Sequence, residues 1–227
     1  YISPGAGSVK QIVFGERRRL KEVVISLKKN PDKKEDIIQF ETLSSSELES
    51  TPRSKIVQML QDGGLWQSLR EFPFKDTADE NHKPPMIIVS LNGNDIFSPH
   101  PQVVLENENR NFKFGIKVLE KFSNRIIVTS RKSSLSRLNG FKDYITHRVS
   151  DIYPSWDPSV VLYQLKRTKE ENRSWCISAE HLILISKFLL TGIYPVKRVV
   201  TVTRSNNKKP QIITRQGAPV RNLVGNM

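Results

Sequence analysis

Six residues in the middle of the chain, Met86-Ile-Ile-Val-Ser-Leu91, form an apolar run of strand length, interrupted only by Ser90. A strand with one face in water alternates apolar and polar residues. A run without that alternation belongs to a strand buried on both faces, as in the sheets of α/β proteins. The sequence that follows fits this reading. Asn109 to Phe122 is amphipathic, with Phe112, Ile116 and Leu119 on one helical face and Gly115, Val118 and Phe122 beside them. Arg125-Ile-Ile-Val-Thr129 then reads as a second strand. Strand, helix and strand in this order predict a βαβ unit with a right-handed crossover.

The flanking segments extend the pattern. Val9, Ile12 and Phe14 read as one strand and Lys21 to Leu27 as the next, with Pro4, Gly5 and Gly7 in a turn before them. This predicts the closing hairpin of a small β-domain over residues 1–40, part of which lies outside the chain. Ile37, Ile38 and Phe40 suggest a short extended run. Residues 41–83 read as a helical segment and linker. Thr51 is the expected N-cap of a helix with Pro52 at its first position, Ile56, Val57 and Leu60 on its apolar face, and Gly63-Gly64 as its stop. A second short helix is predicted over Leu65 to Arg70, ended by Phe72-Pro-Phe74, and Asp76 to Lys83 reads as a polar linker.

Residues 84–204 are expected to form the α/β domain. Tyr144 to Val149 reads as extended, and Tyr153 to Pro158 as a turn into the apolar segment Val160 to Leu165. Ser174 to Ile177 reads as a strand. Ser178 is placed to cap a helix over Ala179 to Thr191, with Leu182, Ile185 and Leu189 on one face and Gly192 as the stop. Val196 to Thr203 and Gln211 to Thr214 read as strands around a loop at 205–210. Residues 205–227 are the expected start of a further domain that the chain does not complete.

Composition excludes several functions. No apolar stretch approaches the ~20 residues that span a bilayer. The single cysteine, Cys176, cannot build a zinc-thiolate or iron–sulfur site alone, and its setting between Trp175 and Ile177 predicts a buried thiol. His82, His100, His147 and His181 lack the spacing of a local metal site. There is no Walker loop and no G-x-S-x-G. Gly5-Ala-Gly7 enters a strand instead of a helix, so it is not a dinucleotide fingerprint. Asn92-Gly-Asn-Asp95 follows a strand where a ligand loop would sit. It reads either as such a loop, with Asp95 positioning a ribose or a partner's lysine, or as a plain turn.

The net charge is +13 and unevenly spread. From His181 to Met227 there is no acidic residue, while Lys187, Lys197, Arg198, Arg204, Lys208, Lys209, Arg215 and Arg221 are basic. Such a stretch either faces something anionic or is a solvated surface. The aromatics are not interleaved with the basic residues, which argues against a nucleic-acid platform.

Three stretches, taken in order, resemble one family. Ser3-Pro-Gly-Ala-Gly-Ser-Val, with Ile12 and Gly15-Glu-Arg-Arg18, precedes Val23-Val-Ile25. Gly64-Leu-Trp-Gln-Ser-Leu-Arg70 leads to Pro73-Phe74. Trp175, then Phe188-Leu-Leu-Thr-Gly192 and Arg198-Val-Val200, precede Pro210, Thr214-Arg215 and Gly217-Ala218. This co-linear set is similar to the NqrA subunits of bacterial Na+-translocating NADH:quinone reductases, across nearly the whole chain. One stretch departs from that family. Where its members carry a run rich in His and Gly, this chain has Tyr153-Pro-Ser-Trp-Asp-Pro-Ser-Val-Val-Leu-Tyr163.

The resemblance implies a Rossmann-like middle domain, flanked by the end of a barrel-sandwich domain and the start of a β-grasp domain. It implies a peripheral subunit on the cytoplasmic face of the bacterial inner membrane, docked on integral membrane subunits and non-catalytic by itself. It implies no cofactor on this chain: NADH, flavins, iron–sulfur centres, quinone and Na+ would be handled by the complex through its other subunits. Lys197, Arg198, Arg204, Lys208, Lys209 and Arg215 are the candidates for docking on a partner or on anionic lipid. An alternative reading within the same complex is a quinone slot lined by Trp66, Phe72, Phe74, Trp156 and Tyr163. Those five aromatics would equally serve core or interdomain packing.

Overall fold

The computed structural model describes residues 2–92, 98–138, 140–203 and 210–224. In chain order its strands are β1 (Gly7–Phe14), β2 (Leu20–Leu27), β3 (Arg70–Glu71), β4 (Asp76–Thr77), β5 (Ile87–Ser90), β6 (Ile126–Arg131), β7 (His147–Val149), β8 (Trp175–Ser178), β9 (Lys197–Thr201) and β10 (Gln211–Arg215). Its helices are α1 (Arg53–Asp62), α2 (Pro101–Val104), α3 (Asn109–Glu120), α4 (Pro158–Leu165), α5 (Ala179–Thr191) and α6 (Val220–Val224).

A six-stranded mixed sheet, ordered β4-β3-β8-β5-β6-β7, organises the fold. β8, β5, β6 and β7 run parallel, and the short hairpin β3–β4 adds an antiparallel edge against β8. The chain builds outward from β5 through α3 to β6 and β7, then returns to the other side of β5 as β8. Two smaller antiparallel pairs, β1–β2 and β9–β10, complete the architecture.

β5 explains why the sheet is central. Ile87, Ile88 and Val89 are all fully buried, and the two-residue period of a strand sends them to opposite faces. Ile87 and Val89 join Trp175 and Ile177 in the larger core under α1, α3 and α5. Met86, Ile88 and Cys176 enter a smaller core with Phe72, Trp156 and the α4 residues Val161 and Leu162. At the heart of the larger core Trp66, Phe122 and Trp175 pack with ring centroids 5.7–5.9 Å apart. Burying a side chain of this size stabilises by about 2–3 kcal/mol.

Helix α3 reaches α5 through Gly115. A Cβ there would lie 2.6 Å from both Leu182 Cγ and Ser186 Oγ. Helix α5 begins and ends as its sequence predicts. The Ser178 hydroxyl accepts the His181 N–H at 3.3 Å, and Gly192 adopts φ 65° at the other end.

Four local expectations are corrected. The segment Leu65–Arg70 is a single 3-10 turn over Trp66–Ser68 that passes into strand β3, because Leu69 is drawn into the core and Arg70 pairs with Cys176. Asp76–Lys83 is not wholly a linker, since Asp76–Thr77 is β4 and Ala78 is buried. The run Ile37–Phe40 forms no strand; Ile38 is exposed, whereas Phe40 packs edge-on against Phe188. Thr51 does not cap α1. Its hydroxyl donates to the Glu47 carbonyl instead, and Pro52 takes the capping position.

Candidate functional site

β5 and β8 are parallel neighbours, and the chain leaves them in opposite directions: β5 toward β6, β8 into α5. A crevice necessarily opens where strand ends diverge in this way, outside their carboxyl termini. A cavity of about 540 Å³ lies there. Ser90 to Asn92 line it from β5, and Cys176 to Ser178 from β8. The turn after α1 and β3 form one wall with Leu65 and Arg70. Pro101 and Val104 of α2 form another, and Tyr194, Arg198 and Gln216 close the third.

The strand-to-helix junction has no loop. Ser178 is both the last residue of β8 and the cap of α5, so the helix N-terminus is delivered directly to the cavity. His181 sits in that first turn with its Nδ1 2.8 Å from the Ser178 hydroxyl. Its ring is open to the cavity but surrounded by enough protein that desolvation lowers its pKa, with Arg198 and Arg70 acting in the same direction. Glu180, beside it, has its carboxyl pushed up by burial, against the pull of Arg198.

Charge on the cavity wall is mainly positive. Arg198 is held by neutral acceptors: Pro195 O at 2.6 Å, Lys197 O at 2.9 Å, Gln216 Oε1 at 2.7 Å and the Tyr194 hydroxyl at 3.2 Å. Lys75 is paired with Asp157 at 3.0 Å. Burial alone would raise the Asp157 carboxyl, but the Ser159 N–H and Lys75 outweigh it and hold it below its ordinary value. At the strand end, Asn92 is 1% exposed; its Oδ1 accepts the Arg131 N–H at 3.1 Å, and its Nδ2 has no partner among the described residues. Cys176 is buried, and desolvation raises its thiol to about 12 despite Lys75.

The five aromatics expected to line one slot lie apart. Trp66 is in the larger core, donating from Nε1 to Ala78 O at 2.8 Å. Phe72 and Trp156 are across the sheet in the smaller core, with the Arg131 guanidinium over the Trp156 ring at 4.8 Å. Phe74 and Tyr163 are exposed. None of the five lines the 540 Å³ cavity.

The basic candidates also separate. Lys197 is exposed on β9, whereas Arg198 faces the cavity. Arg215 is engaged internally with the Pro4 carbonyl and the Asp32 carboxylate. Arg204, Lys208 and Lys209 lie outside the described residues, as does Asp95. Arg70, Lys75, Glu180 and the Asn92 amide were not singled out from the sequence. Their only shared signal is position: each lies close to a strand end, and the strand order needed to bring them together is not written in any one segment. Among the described residues, no cluster of metal-ligating side chains occurs, and no helix is long and apolar enough to cross a membrane.

Fold and cavity together define an α/β domain with a crevice at the carboxyl ends of its parallel strands. The chain belongs to the family described as the NqrA second alpha/beta domain, whose model matches residues 51–194. It is similar over nearly its whole length to curated relatives named as the NqrA component of Na(+)-translocating NADH-quinone reductase. The relative from Marinomonas sp. (strain MWYL1) is 28% identical over 225 residues, 99% of this chain and 49% of that protein. The relative from Saccharophagus degradans is 28% identical over 226 residues, with the same coverage. That from Pseudomonas aeruginosa (strain PAO1) is 26% identical over 225 residues. The chain spans about half the length of the curated relatives it matches.

Proposed function

We propose that this chain is the central part of the NqrA subunit of a Na+-translocating NADH:quinone reductase. In that role it supports electron transfer from NADH to quinone coupled to Na+ export, mainly as a docking component. The observation that carries this is the co-linear similarity over 99% of the chain, with the matched α/β domain at residues 51–194.

The finer plan follows the same reading. Residues 84–204 are the Rossmann-like body, residues 1–40 close a barrel-sandwich domain, and residues 205–227 open a β-grasp domain. The subunit is peripheral, on the cytoplasmic face of the inner membrane. NADH, flavins, iron–sulfur centres, quinone and Na+ are handled by its partner subunits. Exposed Lys197 belongs to the docking face, and each cation near an anionic surface contributes roughly 1 kcal/mol, screened within about 8 Å at physiological salt. A quinone slot on this chain finds no supporting observation, because its five proposed aromatics do not share a cavity.

The test is reconstitution. The full-length protein, carrying an affinity tag, is expressed in a bacterium deleted for its own NqrA. Co-purification with the membrane subunits and restored Na+-dependent NADH:quinone reductase activity are the expected results. A tagged protein that stays soluble and alone would overturn the proposal.

A further inference from the structure

The cavity at the ends of β5 and β8 has an electrostatic character that docking does not require. Of its charged lining residues, Arg70, Lys75 and Arg198 are basic and Glu180 is acidic. Among the described residues Arg70 and Arg198 have no carboxylate partner in any ion pair, and both act on His181 in the first turn of α5. That turn brings the positive end of a 13-residue helix to the same place. The Ser178 side chain accepts only the His181 N–H, so it satisfies one of the four orphan donors of the helix start.

The Asn92 side chain is an independent sign of a ligand. It is 99% buried on the cavity lining, its oxygen end is taken by the Arg131 N–H, and its Nδ2 donor has no acceptor among the described residues. A buried, unpaired amide donor costs about 1–3 kcal/mol. An acceptor brought into the cavity removes that cost. Two uncompensated guanidiniums, a helix N-terminus and an unpaired amide donor all call for the same thing, an oxyanion.

The volume adds the second requirement. A bare phosphate is far smaller than about 540 Å³, which is in the range of small-molecule sites. The remaining wall is apolar, with Leu65, Leu91, Pro101, Val104 and Tyr194. Glu180 is repulsive to an anion placed against it, but it accepts hydrogen bonds from hydroxyl groups. We propose that this cavity binds a phosphomonoester of about nucleotide size. The phosphate sits among Arg70, Arg198 and the α5 N-terminus, the organic body lies on the apolar wall, and ligand hydroxyls face Glu180.

Titration calorimetry on the 227-residue chain tests this with AMP, adenosine and inorganic phosphate as probes. The expected result is saturable one-to-one binding of AMP. Adenosine should bind at least roughly tenfold more weakly, because it lacks the charge-assisted contacts. Phosphate should also be weaker, because it leaves the apolar wall empty. Arg70→Gln and Arg198→Gln should each weaken AMP by roughly tenfold while circular dichroism and the melting temperature stay near those of the unaltered chain. Arg70 is exposed at its strand, so its variant keeps the fold even if the Arg198 variant does not. The proposal is overturned if AMP shows no saturable binding at about 5 mM, or if adenosine or phosphate binds as tightly as AMP. It is equally overturned if Arg70→Gln binds AMP like the unaltered chain.

Discussion

At the scale of single residues, Ser178 and Cys176 show how neighbours in sequence acquire different chemistry. Ser178 ends β8 and caps α5, so its hydroxyl is committed to the His181 N–H. Ser178→Ala should cost about 1 kcal/mol in urea unfolding, the usual loss for a missing cap. Two residues earlier the strand alternation turns Cys176 into the smaller core. Its thiol is pushed up to about 12 from an ordinary 9.0 by burial. Because the folded value is the higher one, the associated stability is whole below about pH 9 and falls as pH rises toward about 12, by ~1.4 kcal/mol per unit. Urea titrations of the chain and of Cys176→Ala at pH 8 and 10 check this, and the variant should lose less stability on going to pH 10. The cap was legible in the sequence, as a serine before an apolar helical pattern. So was the buried cysteine, from its apolar neighbours. The raised thiol was not, because it depends on what packs over the strand from α4 and on the charge of Lys75.

At the scale of elements, long periodic segments were legible and short ones were not. α3, α5 and the buried strands β5, β6 and β8 carry their own hydrophobic pattern, and each appears within a residue or two of its expected limits. β3 and β4 have two residues each, too few to carry a period, and exist because β8 offers them an edge. The Leu65–Arg70 pattern suited a helix equally well until Leu69 and Trp66 found the core. The contact of α3 with α5 likewise needed the structure. Gly115 lies on the apolar face of a readable helix, but only the packed pair reveals that its missing side chain is filled by Leu182 and Ser186. Gly115→Val should destabilise by about 1–3 kcal/mol through overpacking, despite valine's better helix propensity. A fall in melting temperature measures it. A variant as stable as the parent would mean that the two helices separate at no cost.

At the scale of the whole molecule, contacts distant in sequence hold the parts together. Buried Glu71 on β3 accepts from Arg173 Nε at 2.6 Å and Trp175 Nε1 at 3.2 Å, tying the antiparallel edge to the segment that enters β8. Arg215 on β10 reaches the Pro4 carbonyl and Asp32, tying the β9–β10 pair to the base of the first hairpin. That hairpin exposes Val9, Ile12 and Phe14, so it has little apolar burial of its own to anchor it. Arg215→Ala should therefore accelerate tryptic cleavage at Arg17–Arg19 ahead of sites in the central sheet, as read by mass spectrometry of timed digests. An unchanged cleavage order would mean that Arg215 does not anchor the hairpin.

The sequence by itself determined the α/β class, the doubly buried central strand, the limits of α5 and the resemblance to the NqrA family. These are properties of local period, capping chemistry and residue order, which a single segment carries. The strand order, the separation of the five aromatics onto different sides of the sheet and the cavity at the ends of β5 and β8 were decided only by the tertiary structure. Each depends on which strand ends lie side by side, and that follows from burying both faces of β5 at once rather than from any residue's neighbours along the chain.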